Sequence, residues 1–156
     1  MDLMEKEKKL WSPRRKGRPK IFKEVFDPFT VDTIWKLIRK GEIDGLEHII
    51  STGKEANVFR ALKDGKPRAC KVYRFETSSF HAMWEYIWGD PRFKKLSRDK
   101  RSLVIAWCKK EFKNLKIGEE VGCRTPRPFA ALNNVLVMEF IGNKKAAPLL
   151  KECVLD

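Results

Sequence analysis

From Thr30 onward, apolar side chains recur every three or four residues, at Val31, Ile34, Trp35 and Ile38, and the run meets Gly41. That spacing predicts a short amphipathic helix with Thr30 as its N-cap, preceded by an apolar-rich extended lead over 21–29. The pattern then changes. Residues 46–52 and 56–62 read as strands either side of Ser51-Thr52-Gly53-Lys54-Glu55-Ala56-Asn57-Val58, and Lys63-Asp64-Gly65-Lys66 is a turn into a third strand over 68–74. Residues 75–100 mix aromatics and charges around Gly89-Asp90-Pro91, and predict an insertion without a regular element. Helical spacing returns over 102–117, bounded by Gly118. Two apolar runs, 127–132 and 135–141, are joined by Asn133-Asn134, a pair that tolerates positive φ and predicts a tight hairpin.

Two charges break this pattern. Lys71 shares a strand face with Ala69 and Tyr73, and Glu111 lies on the helical stripe of Val104, Trp107, Cys108 and Leu115. A lone strand lysine is ordinarily one that snorkels from an edge. Two opposite charges on apolar surfaces are each costly alone and become tolerable when they meet. A strand lysine paired to a helix glutamate beneath an inter-strand loop is how protein kinases hold the α- and β-phosphates of ATP.

The loop is not of the Walker type. That motif needs a glycine five places before Gly53 and a Ser or Thr after Lys54, where this chain has His48 and Glu55. It fits the kinase-type phosphate loop, with Gly53 kept and Ser51 and Ala56 standing where glycines are usual.

Ser-Thr-Gly-Lys-Glu-Ala-Asn-Val, Ala-Cys-Lys-Val-Tyr-Arg, Trp-Cys-Lys-Lys-Glu-Phe-Lys-Asn-Leu and Val-Leu-Val-Met-Glu-Phe-Ile-Gly together resemble the RIO family of atypical serine protein kinases, most of all its archaeal members. The resemblance runs from about residue 30 to the C-terminus. It implies an α+β fold, the kinase-like small lobe: a five-stranded antiparallel sheet with one long helix after strand three and a short helical N-terminal extension. It further implies that Ser51, Thr52, Gly53, Lys54, Glu55, Ala56, Asn57 and Val58 cover ATP, that Lys71 contacts its phosphates and that Glu111 orients Lys71. Met138 would back the adenine pocket, and Glu139 and Ile141 would supply backbone hydrogen bonds. Members phosphorylate serine, themselves included, and act in maturation of the small ribosomal subunit.

Catalysis also needs a carboxylate for the acceptor hydroxyl and ligands for magnesium, which in this family come from the large lobe after the hinge. Only residues 143–156 follow Gly142, and their sole aspartate is Asp156. The expected organisation is therefore a basic arm over 1–20, a helical extension over 21–45, an ATP-binding lobe over 46–142 with its insertion at 75–100, and the start of a linker over 143–156. No catalytic residue is expected within the chain, and magnesium is expected only when the large lobe is supplied. Whether the chain is a fragment, a truncated gene product or half of a split enzyme stays open.

Charge changes the list of partners. Lys and Arg number 34 against 21 Asp and Glu, a net +13, which favours polyanions. Eight of the bases lie in 1–20, which makes that segment either an RNA-binding arm or a solubilising tail. A pre-ribosomal small subunit or its RNA is thus a candidate partner beside ATP, and a non-catalytic RNA- or ribosome-binding module is the alternative function. Trp84, Tyr86, Trp88 and Phe93 are candidate base-stacking residues, or pack back on the fold. Thr77, Ser78, Ser79 and Ser97 are candidate phosphoacceptors, or ordinary solvated hydroxyls. His48 and His81 lack a nearby second ligand. Cys70, Cys108, Cys123 and Cys153 have neither zinc nor disulfide spacing. No membrane span or secretory signal is read, so the expected location is cytoplasmic. A small lobe without its partner exposes its floor, including part of Phe140 and Pro148-Leu149-Leu150, which predicts self-association.

Overall fold

A computed structural model of the chain describes residues 25–76 and 80–154. The basic arm over 1–20, most of the lead that follows it, Thr77, Ser78, Ser79 and Asp156 lie outside the described residues.

Helix α1 spans Pro28–Arg39. Its N-cap is Asp27 rather than Thr30: the Asp27 carboxylate accepts from the amides of Phe29 and Thr30 at 3.0 and 3.1 Å. Asp followed by Pro at the first helical position is a strong start signal, so part of the expected extended lead is helix. Thr30 is instead buried. Gly41 ends the helix as expected, at φ 73°.

Strands β1 (Gly45–Thr52), β2 (Ala56–Lys63) and β3 (Lys66–Tyr73) form a meander. Strands β4 (Pro128–Leu132) and β5 (Val135–Glu139) form the expected hairpin. The five-stranded antiparallel sheet has the order β1-β2-β3-β5-β4, so β5 returns beside β3.

Between β3 and β4, the chain departs from expectation twice. Residues Phe80–Trp88 form helix α2, because Met83 and Ile87, one turn apart, bury against the long helix that follows. That long helix, α3, runs Lys100–Glu120 and passes straight through Gly118. A Cβ at Gly118 would lie 3.2 Å from both Cγ2 and Oγ1 of Thr125, so this glycine serves close approach rather than termination. The helix ends at Val121, and Gly122 supplies the positive φ of 78°.

The alternation of strand side chains divides the core in two. One face carries Phe59, Cys70, Val72, Val135 and Val137 beneath Ile34 and Leu37 of α1. The other carries Ala56, Tyr73 and Leu136 beneath Leu103, Val104 and Cys108 of α3, with Met83 and Ile87 of α2. Each face is closed by helix, so β3 and β5 are buried on both sides.

Candidate functional site: a lysine–glutamate pair under the β1–β2 loop

Lys71 stands on β3 and Glu111 in the middle of α3. The pleat turns Lys71 and Tyr73 toward α3, while Cys70 and Val72 between and beside them face α1. Register then sets what surrounds the lysine. Ser51, Val58, Lys71 and Leu136 form one row across β1, β2, β3 and β5, and Arg60, Ala69 and Met138 form the next. Three of the expected contacts, Val58, Lys71 and Met138, therefore share one sheet face.

The Lys71 ammonium donates to both oxygens of Glu111, at 2.9 Å to Oε1 and 2.8 Å to Oε2. The side chains remain 25% and 29% exposed, so the pair is half-dry but reachable from solvent. The expectation that two misplaced charges meet is met. Sequence reasoning missed a third participant: the Tyr73 hydroxyl donates to Glu111 Oε2, and the Tyr73 ring centroid lies 5.0 Å from Lys71 Nζ. The signal was present, since a residue two places along a strand shares the lysine's face. One turn before Glu111, burial pushes the Cys108 thiol up to about 12, outweighing the opposite pull of Lys71.

The β1–β2 loop is a short closed turn. The Gly53 amide donates to the Ala56 carbonyl at 2.9 Å, and a Cβ on Gly53 would lie 3.1 Å from that oxygen. The Arg74 amide donates to Glu55 at 2.8 Å, tying the loop to the end of β3. Ser51, Thr52, Gly53 and Lys54 are exposed, whereas Ala56 is buried opposite Tyr73.

At the far end of the sheet, Met138 is partly buried against the α3-side core. Glu139 is committed by its side chain. Its carboxylate accepts from the Arg124 guanidinium at 3.0 Å through each oxygen and from the Arg127 amide at 3.1 Å. Those contacts, Arg124 first, hold it below the ordinary carboxylate range. The Glu139 amide donates to Arg127, and the Ile141 carbonyl accepts from Ala147, at 2.8 and 2.9 Å. Gly142, at φ 143°, makes that return turn: a Cβ there would meet the Lys145 carbonyl at 2.3 Å.

Phe140 corrects an expectation. It is buried rather than exposed, with the Arg60 guanidinium 5.5 Å from its ring centroid and Arg60 itself paired to Glu47. Pro148-Leu149-Leu150 is exposed as expected, with Leu150 at 73%.

The candidate stacking residues do not converge. Trp84 and Trp88 lie 5.5 Å apart on one flank of α2 beneath Arg98, while Tyr86, on the other flank, meets the edge of Trp107 at 6.1 Å. Phe93 packs back on the core. Among the described residues, no three His, Cys, Asp or Glu side chains gather as metal ligands, and no helix is long and apolar enough to cross a membrane.

A small antiparallel sheet whose third strand offers a lysine to a glutamate on the long helix, under a glycine-containing loop, defines a kinase-like small lobe. The comparisons agree. The RIO domain model matches residues 57–155. The chain is 48% identical over 124 residues to the RIO-type serine/threonine-protein kinase Rio1 of Haloferax volcanii, covering 79% of this chain and 43% of that protein. It is 38% identical over 152 residues to the protein of the same name from Methanocaldococcus jannaschii, covering 97% and 50%. The crystal structure of the Rio2 kinase from Chaetomium thermophilum matches with a TM-score of 0.58 at 20% identity, over 74% of this chain and 34% of that one, a likeness of fold. The chain belongs to the RIO family. It spans half or less of the length of these relatives.

Proposed function

We propose that this chain is the ATP-binding lobe of a RIO-type serine/threonine protein kinase or ATPase acting in maturation of the small ribosomal subunit. The observation that carries the nucleotide reading is the two-oxygen contact of Glu111 with Lys71, in one row with Val58 and Ser51. The ribosomal role rests on family membership alone.

In this reading Ser51 to Val58 cover the phosphates and Lys71 neutralises them, while Val58, Ala69 and Met138 enclose the adenine. By the family resemblance, Glu139 and Ile141 supply the hinge's backbone bonds to adenine, beside the Glu139 amide and Ile141 carbonyl that are bonded within the chain. Magnesium and the carboxylate that orients the acceptor hydroxyl come from a large lobe outside these residues. The chain alone therefore binds ATP weakly and turns none over. The exposed Leu149, Leu150 and Val154 belong to the uncovered floor, through which the chain self-associates.

The alternative, a non-catalytic RNA- or ribosome-binding module on the same scaffold, draws on the net charge of +13. Parallel titrations with ATP and with a single-stranded RNA, each repeated at higher salt, separate the two. ATP binding that is lost in Lys71→Ala supports the kinase reading. RNA binding that collapses with salt, beside no ATP binding, supports the alternative. Magnesium-dependent turnover by the chain alone, lost in Lys71→Ala, overturns the division of labour between lobes.

A further inference from the structure

We propose that Tyr73 is a positioning residue of the phosphate site, holding Glu111 against Lys71 before any nucleotide arrives. This rests on the nucleotide reading above and concerns a residue outside the pair.

Three observations carry it. Tyr73 is 1% exposed, the largest fully buried side chain among the described residues, and spends its one hydroxyl on Glu111 Oε2, an oxygen that also accepts from Lys71. Its ring face lies 5.0 Å from the Lys71 ammonium, so one side chain touches both charges. The third concerns anchorage. The Tyr73 amide donates to the Asn134 carbonyl, and the Asn134 side-chain amide donates back to the Tyr73 carbonyl, both at 2.9 Å. Asn134 is itself fully buried.

A lysine–glutamate pair that is a quarter exposed competes with water. Either long side chain can rotate away, and a glutamate on a helix needs only a small roll of that helix to lose its partner. A third contact from a rigid, buried phenol removes that freedom, because a hydroxyl donating to a carboxylate is a strong hydrogen bond and Tyr has few rotamers to lose. Losing the half-buried carboxylate would also leave the hydroxyl of a buried Tyr73 without its acceptor. The two contacts thus lock α3 to β3. With two ammonium protons on Glu111, Lys71 keeps a third for the phosphates of the nucleotide reading. Ala56 opposite Tyr73 belongs to the same arrangement: in register with the phenol-bearing residue, it is buried beside the ring at the base of the loop.

The effect passes through Lys71, so it concerns phosphates and not adenine. Tyr73→Phe keeps the ring and removes the hydroxyl. In calorimetric titrations of the chain, we expect it to weaken ATP binding about tenfold while leaving adenosine binding unchanged. In a Glu111→Ala background the same substitution should change neither. A nucleotide-free readout accompanies it: the exchange-protected Tyr73 hydroxyl proton should give a downfield proton resonance that is lost in Tyr73→Phe and shifted in Glu111→Gln.

Equal weakening of ATP and adenosine by Tyr73→Phe would mean that the ring position is merely structural, and would overturn the proposal. So would an unchanged ATP affinity. If the unsubstituted chain binds neither ligand yet shows the Glu111-sensitive resonance, the nucleotide reading fails and the contact is a core bond only. If it binds ATP and lacks the resonance, the nucleotide reading survives and the role of Tyr73 does not.

Discussion

Asn134 and Tyr73 hold each other twice, carbonyl to amide in both directions, at 2.9 Å each. Asn134 also donates to the Thr30 hydroxyl at 2.9 Å, and its neighbour Asn133 donates to Thr33 at 2.9 Å. The β4–β5 turn therefore fastens α1 to the strand that carries the site. Asn134→Ala leaves the buried Tyr73 carbonyl and Thr30 hydroxyl each short of a partner, and should cost about 2–3 kcal/mol in denaturant unfolding. Asn133→Gly, at φ 49°, should cost much less, since it loses a half-buried bond but keeps the backbone shape. Equal stability of the Asn134→Ala variant and the parent would remove the turn from the fold's supports.

Lys71 and Glu111 should couple. Glu111→Ala strands a half-buried ammonium and is expected to cost about 2 kcal/mol, less than the loss at a fully buried pair because water reaches both charges. Replacing both by methionine should cost less than Glu111→Ala alone. A double-mutant cycle in urea reads the coupling, and additive effects would contradict the contact.

Asp99 caps α3 by accepting from Ser102, whose amide lies 2.8 Å away. Its bonds to Ser102, followed by one from Ser97, lower its carboxyl from 3.8 to about 2. A depressed folded value means that the cap is fully present above pH 3.8 and is lost as pH falls toward 2. Amide exchange at the start of α3 should accelerate across that window. In Asp99→Asn, which keeps the acceptor without the charge, it should not show this step.

The four thiols should divide in two. Burial raises Cys70 and Cys108 to about 12, while Cys123 and Cys153 are exposed. Iodoacetamide at pH 8 should alkylate only the latter pair in the native chain, and all four in urea. Mass spectrometry of the labelled peptides checks it. Native labelling of Cys108 would mean that α3 leaves the sheet on the labelling timescale.

Strand and helix positions were legible from periodicity because burial on one face is a local pattern. The meander, the long helix and the β4–β5 hairpin all stand near their expected residues. Lys71 and Glu111 were legible for the opposite reason, as charges interrupting apolar stripes. Boundaries failed where a residue serves two ends. Gly118 looks like a stop because a missing side chain permits both a turn and a close contact, and only Thr125, seven residues away, shows which applies. Helix α2 was missed because exposed aromatics, Tyr86 and Trp88 among them, blur a stripe just two buried residues long.

What only the tertiary structure decided depends on contacts between distant segments. Strand alternation puts Tyr73 on the face of Lys71, but no local pattern says that its hydroxyl reaches Glu111, 38 residues on, or that Asn134 binds Thr30 across 104 residues. Phe140 reads as exposed floor until Arg60 is seen over it. A sequence by itself determines which side chains must leave water, because transfer free energy belongs to each residue. It does not determine which polar group each buried one meets, because a hydrogen bond needs a few ångströms of geometry that only the packed sheet and helices supply.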